Sequence, residues 1–232
     1  MKKYEFTEET MEWKGHVLKR IKAIRDFGKV RAGESGGWIE KEENLSHEGN
    51  CWVTCDAKVF GSAVVSENAS VSIEAQVCDY AKVFGEATVF AIAEVSDYAE
   101  ISGKALVTGT AKVNDYAKIS DRAQIDDDAS ILGHAQVSEN AKVYGHARVI
   151  GHTKIRGYAE VFDSARVYGF SKIHGNARVC GNASVFEWAK ISGNALIDKH
   201  ASVFGWAKYM RMPRLFWMLE YQVGPTLVIS LS

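Results

Sequence analysis

Proline is almost absent: the 232 residues hold two, Pro213 and Pro225, both within the last twenty. A stretch without proline can keep every N–H in a backbone ladder. Cysteine is scarce as well. Cys51, Cys55, Cys78 and Cys180 show no framework of disulfide spacings, and Cys51-x-x-x-Cys55 lacks a second ligand pair. Reduced thiols and no metal site are therefore expected. Neither sign of charge dominates: 28 Lys and Arg stand against 29 Asp and Glu. No global field draws the chain to nucleic acid or to a membrane surface. No run approaches the roughly 18–20 apolar residues of a membrane helix. The opening MKKYEFTEET lacks the apolar core of a signal peptide, so the expected location is cytoplasmic.

From Ala57 to Trp206 the chain repeats one hexad 25 times without insertion or deletion, for the most part Ala-x-(Val/Ile)-x-(Gly/Asp/Glu)-x. The third position is Val or Ile throughout, and the first is Ala except at Thr153 and Ser171. A fixed short period marks a solenoid, whose units bury their apolar faces only by stacking. Positions one and three share a face of an extended strand, and β-branched residues suit that setting. Gly, Asp and Asn gather at positions five and six, where they mark a corner. At position six, every third hexad gives Tyr80, Tyr98, Tyr116, His134, His152, Phe170, Trp188 and Trp206, one ring every 18 residues. Such a column makes sense if three hexads close one coil and equivalent corners stack. The repeats alone then give about eight to nine coils at the strand spacing of a sheet.

Six residues per side and three sides per coil resemble the left-handed parallel β-helix of the hexapeptide-repeat proteins. The left hand is what the resemblance implies, since the general crossover rule gives a right-handed coil. One departure is visible: the slot after Val/Ile holds Phe60, Phe84, Phe90, Tyr144, Phe162 and Tyr168, with Gly typically one place later. The leader DFGKVRAGESGGWI, followed by NLSHEGNCWV, is similar to phage- and prophage-encoded hexapeptide proteins and to the YdcK-type proteins classed as transferases by fold analogy. The expected organisation is an all-β chain with an N-terminal strand and loop cap over 1–44. A parallel β-helix over 45–208 and a C-terminal cap or tail over 209–232 follow. Tyr4–Phe6 and Val17–Phe27 read as strands around a Lys14-Gly15 turn. Gly33-x-x-Gly36-Gly37 reads as a turn, since no helix follows it to cradle a phosphate. The segment RLFWMLEYQV reads as a cover for the last coil, or else as an altered terminus.

Sorting the outward positions by phase gives the functional clue. One face carries Leu132, Ile150, Tyr168, Phe186 and Phe204 at position four. Its corner carries His134, His152, Phe170, Trp188 and Trp206. Contiguous apolar strips usually mark a partner or ligand surface. The plainer alternative is a ring ladder that only stabilises the coil. A second face carries a basic stripe, Lys154, Arg156, Lys172 and Lys190 with His174, fit for an anion or for simple solvation.

For chemistry, the resemblance implies two options. Hexapeptide acyltransferases are trimers with a His base and an acyl-CoA site between subunits, so His134 and His152 are the catalytic candidates. A γ-type carbonic anhydrase would need three converging histidines on zinc. His146 falls on another corner from His134 and His152. No loop interrupts the hexads to shape a pocket. The leading expectation is a non-catalytic, cofactor-free binding or assembly module of phage or prophage type. It would act in the cytoplasm (the host's, if phage-encoded). A homo-oligomer is expected, a trimer above all, with room for a further protein partner and with neither nucleic acid nor membrane. The alternative is the trimeric acyltransferase.

Overall fold

The computed structural model describes residues 1–211, so the expected cover at RLFWMLEYQV lies outside the described residues. Among them there is no α-helix, only a single short 3-10 turn at Glu42–Asn44. The chain divides into two compact units, Met1–Asp115 and Tyr116–Ser232.

The first unit opens with an antiparallel hairpin, β1 (Tyr4–Trp13) and β2 (His16–Ala23). Lys14 (φ 49) and Gly15 (φ 84) form its two-residue turn, both in the left-handed region that matches the twist of the flanking strands. Strand β3 (Ser35–Ile39) pairs antiparallel with β2 and parallel with β5 (Lys58–Val59), so it is the first rung of a coil. Strand β4 (Trp52–Val53) pairs with Ser70–Val71. Lys3 is buried beside it, its Nζ donating to the Cys51 carbonyl at 2.8 Å and lying 3.2 Å from Cys51 Sγ. Burial pushes the Lys3 ammonium below its ordinary value and the Cys51 thiol above its own.

From β5 onward each hexad contributes a strand that pairs in parallel with the residue 18 places on, as in Lys58↔Gln76 and Val64↔Lys82. The second unit repeats the pattern with Ser130↔Arg148, Gln124↔Lys142 and Lys154↔Lys172. Three hexads therefore close each turn, and each unit is a parallel β-solenoid with three sheets. Position-two, -four and -six N–H groups donate to the carbonyls of positions one, three and five one turn ahead. Lys58→Ala75 at 2.9 Å, Phe60→Val77 at 3.1 Å and Ser62→Asp79 at 2.6 Å are one such set. Strands β3, β4 and Lys208–Arg211 lie outside the 25 hexads yet join the ladders, which adds rungs to the eight to nine coils of the repeats alone.

The interior is Ala and Val/Ile, almost all at 0% exposure. The two exceptions to Ala behave differently. Ser171 Oγ donates to the Tyr168 carbonyl at 2.8 Å. Thr153 Oγ1 is buried without a hydrogen-bond partner among the described residues. A buried hydroxyl left unpaired costs about 1 kcal/mol or more. Thr153→Ala is expected to raise stability by about 1 kcal/mol, read as a higher urea midpoint at unchanged slope. Ser171→Ala should give no such gain. A lowered midpoint for Thr153→Ala would mean the site has already adapted to the larger side chain.

The corner is narrower than the composition implies. Only position five takes positive φ, and it does so in every hexad from Gly61 to Gly205. Ile73 (φ 65), Ala91 (φ 63) and Lys199 (φ 55) accept the strain without a side chain suited to it. Asp and Glu there do more than tolerate it, because their carboxylates accept the position-five N–H one turn ahead. Gly85 N–H reaches Glu67 at 3.0 Å, Asp115 N–H reaches Asp97 at 3.1 Å and Gly181 N–H reaches Asp163 at 2.9 Å. A charge-assisted bond offsets the strain of the left-handed backbone.

The reading of Gly33-x-x-Gly36-Gly37 as one turn is corrected. Gly33 does turn, at φ +89, but Gly36 and Gly37 lie inside β3 without positive φ. A Cβ on Gly36 would sit 2.5 Å from Ile21 Cγ1, and one on Gly37 would sit 2.7 Å from the Ala57 carbonyl oxygen. The pair is there for close approach.

Candidate functional site

The candidate surface lies in the second unit and is built by the repeat itself. With positions one and three turned inward, positions two, four and six face out at an 18-residue interval. Two ring columns result. At position four, Tyr168, Phe186 and Phe204 stack with centroids 5.0 Å apart. At position six, Tyr116, His134, His152, Phe170, Trp188 and Trp206 stack at 4.2–5.1 Å, planes within 9° of parallel. The ladder reading is therefore right about the contacts. The rings still meet solvent: Tyr168 is 39% exposed, Trp188 44% and Trp206 68%. Leu132, Ile150, Phe186 and Phe204 are half-buried. Rings inside a column have both faces taken by their neighbours and present edges outward, whereas Trp206, at the column's end, stacks on Trp188 by one face.

Cations border the strip along the position-six side from His152 to Trp206 and at Ile150 and Tyr168 on the position-four side. Two places beyond the position-six rings stand Lys154, Lys172, Lys190 and Lys208, each on an adjacent strand. Two places before Ile150 and Tyr168 stand Arg148 and Arg166, strand neighbours and both exposed, while Ser184 and Ser202 hold the same phase before Phe186 and Phe204. None of these cations makes an ion pair among the described residues. Arg148 and Arg166 were missed in reading the sequence; the signal was their shared phase, visible once position two is sorted by face. Arg156 and His174 lie on the outer side of the lysine column. His174 is held below its ordinary pKa, first by burial and then by the Arg156 and Lys190 charges, against a counter-pull from Glu139.

In the first unit the same phase of the repeat is covered. Phe60 and Cys78, at position four, are 4% and 5% exposed beneath the hairpin. They cluster with Leu18 and Trp38, against which Met11 and Trp13 pack. Burial raises the Cys78 thiol to about 12. The Lys58 ammonium sits 4.5 Å above the Trp13 ring, and Lys14 pairs with Glu94 at 3.1 Å.

His134 and His152 are members of the ring ladder, 4.7 Å apart and parallel within 6°. No carboxylate among the described residues orients either imidazole. His146 instead pairs with Asp128 at 3.1 Å. No group of three His, Cys, Asp or Glu among the described residues is arranged to hold a metal. On the remaining face an open depression of about 230 Å³ is lined by Gln124, Asp126, Asp127, Lys142, Tyr144 and Glu160. Glu160 there is paired with Arg178 at 3.0 Å, and Asp127 accepts the Gly145 N–H, so its carboxylates serve the coil.

No protein-family model matches the chain. It is similar to a protein of Escherichia coli (strain K12) named Uncharacterized acetyltransferase YdcK, 41% identical over 81 residues. The match covers 31% of this chain and 25% of that relative, so the chain spans about a quarter of the relative's length. Together with the coil, this bears out the resemblance to hexapeptide-repeat β-helix proteins. No helix of the described residues is long and apolar enough to cross a membrane.

Proposed function

We propose that this hexapeptide-repeat β-helix protein is a rigid, non-catalytic binding or assembly module whose contact surface is the strip from Leu132 to Trp206. A phage or prophage origin and a cytoplasmic setting belong to the same proposal and rest on the leader resemblance. The observation that carries it is the exposure of large rings where the core is already filled: the Ala and Val/Ile interior needs none of them. Stacking accounts for the spacing of the rings, but the coil is as regular where position four is Ser96 or Asn114 as where it is Tyr168 or Phe186. Contiguous apolar surface of this kind is characteristic of interfaces.

The test is the pair Tyr168→Ser and Phe186→Ser in the full chain. Its readouts are solution mass by light scattering and binding of bis-ANS, a dye for exposed apolar surface. The double variant should lower the associated mass toward the 25.6 kDa of one chain, or cut dye binding severalfold, while melting stays cooperative. Loss of the cooperative melt would make the strip a structural ladder. Unchanged mass together with unchanged dye binding would equally overturn the reading.

A second reading is supported by the name of the partial relative: a trimeric acyltransferase with acyl-CoA as donor and His134 or His152 as base in an intersubunit cleft. Saturable thioester consumption that disappears on replacing either histidine by Asn would favour it.

A further inference from the structure

We infer that the strip is a docking site for an acidic protein segment. Its apolar side chains would pack along the apolar column and its Asp or Glu residues would reach the ring edges and the cationic borders. The inference rests on the strip being a contact surface and adds what it takes.

Three observations point to that chemistry. The first is ring orientation. Nucleic-acid bases bind aromatic platforms through ring faces, and here the faces of His134, His152, Phe170, Phe186 and Trp188 are spent on their neighbours. What remains is edges, the positive end of the ring quadrupole, which favour carboxylate oxygens.

The second is charge. Residues 116–211 carry thirteen Lys and Arg against nine Asp and Glu, whereas residues 1–115 carry fourteen against nineteen. Lys154, Lys172, Lys190 and Lys208 follow one another on adjacent strands, about 5 Å apart at sheet spacing. Like charges directly opposite on neighbouring strands destabilise. The acids that face the strip are few: Glu187 lies between Phe186 and Trp188, and Glu139 acts on His174. An occupant bearing carboxylates relieves the repulsion. A second copy packed strip on strip would set cations against cations.

The third is format. At the same phase of the repeat in the first unit, Phe60 and Cys78 already lie under a β-ribbon with Trp13 and Met11 turned toward them. The repeat thus accepts an extended segment with aromatic and charged side chains at this position.

The experiment titrates the full chain with the random copolymer poly(Glu,Tyr), with poly-Glu and with oligo(dT) at 50 and 200 mM salt. Poly(Glu,Tyr) should bind at least tenfold more tightly than either of the others and weaken with salt. The combined Lys154→Gln, Lys172→Gln and Lys190→Gln variant should lose at least tenfold of that affinity at an unchanged melt. Lys22→Gln with Lys29→Gln should lose none. Oligo(dT) binding as tight as poly(Glu,Tyr) would make the occupant a nucleic acid and overturn the inference. So would an affinity within twofold in the triple variant, or a wild-type oligomer that the triple variant dissociates, which would make the occupant a second copy. If poly(Glu,Tyr) fails to bind while Tyr168→Ser and Phe186→Ser still change mass or dye binding, the inference falls and the contact surface stands. If neither responds, both fall.

Discussion

Deleting Lys142 alone is expected to unfold the coils that follow it, while deleting the 18 residues 141–158 should leave a folded protein. The side-chain period along a strand is two, so a one-residue shift turns every inward residue outward. Downstream of Lys142 the core column Val143, Val149, Ile155 and onward to Val203 would leave the interior. Each Val or Ile side chain is worth roughly 1.5–3 kcal/mol on burial. Eleven such residues from Val143 to Val203 exceed the roughly 5–15 kcal/mol that holds a whole domain. Removing 141–158 instead joins Asn140 to Ala159 and keeps every phase. Gln124 then pairs with Glu160 in place of Lys142, and Ser130 with Arg166 in place of Arg148. His134 meets Phe170 directly, and the unpaired Thr153 hydroxyl goes with the excised turn. Circular dichroism melts check both. The 18-residue deletion should melt cooperatively within a few degrees of wild type, and the single deletion should lose much of the β-sheet signal while the transition of the upstream unit remains. Equal damage from both would mean that a turn is not the unit of this fold.

That contrast also shows what the chain discloses and what it hides. The hexad phase, the three-sided coil and the ring columns are legible because each follows from one rule, a side-chain period of two interrupted by a fixed corner. Tyr168 and Trp188 could be placed on the surface because Val167 and Ala189 had to be inside. The role of the position-five acids was hidden, since Asp97 reaching the Asp115 N–H joins residues 18 apart through a carboxylate rather than through a backbone pattern. The hairpin's cover over Phe60 and Cys78 was hidden for a similar reason. Composition does not say which stretch of the position-four column receives the leader. Arg148 and Arg166 were in plain view, but their meaning depends on the apolar column that they border at Ile150 and Tyr168. The candidate site is legible as a surface and much less so as chemistry, because the contact strip proposed for it needs no fixed spacing of acid, base and nucleophile that a sequence would display.

Gly36→Ala should cost about 3 kcal/mol, at the upper end for overpacking, although Ala is the smallest change available and the backbone there needs no unusual φ. The added carbon would meet Ile21 Cγ1 at 2.5 Å, Trp52 Cζ2 at 2.7 Å and the Val53 carbonyl oxygen at 2.9 Å. Ile21 is fully buried and Trp52 nearly so, leaving little room to retreat. Strand β3 would have to move off the β5 ladder. With it would go Trp38, whose Nε1 donates to Asp56 at 3.3 Å and whose ring lies 4.2 Å from the Arg20 guanidinium carbon. Asp56 would lose the two hydrogen bonds, from Trp38 and then from Arg20, that hold its carboxyl below the usual range. The comparison is Gly33→Ala, where nothing lies within 4 Å and the cost is the strain of φ +89 alone, about 1 kcal/mol. Urea titration orders the two. Hydrogen exchange locates the damage, with the Trp38 N–H bonded to the Ala57 carbonyl at 2.9 Å as the reporter. Faster exchange there in Gly36→Ala, with the Lys118 N–H bonded to the Ala135 carbonyl unchanged, would place the loss in the cap. A cost no greater than that of Gly33→Ala would mean that β3 can shift freely. The Gly-Gly-Trp segment would then lose its standing as the fitting that seats the hairpin on the coil.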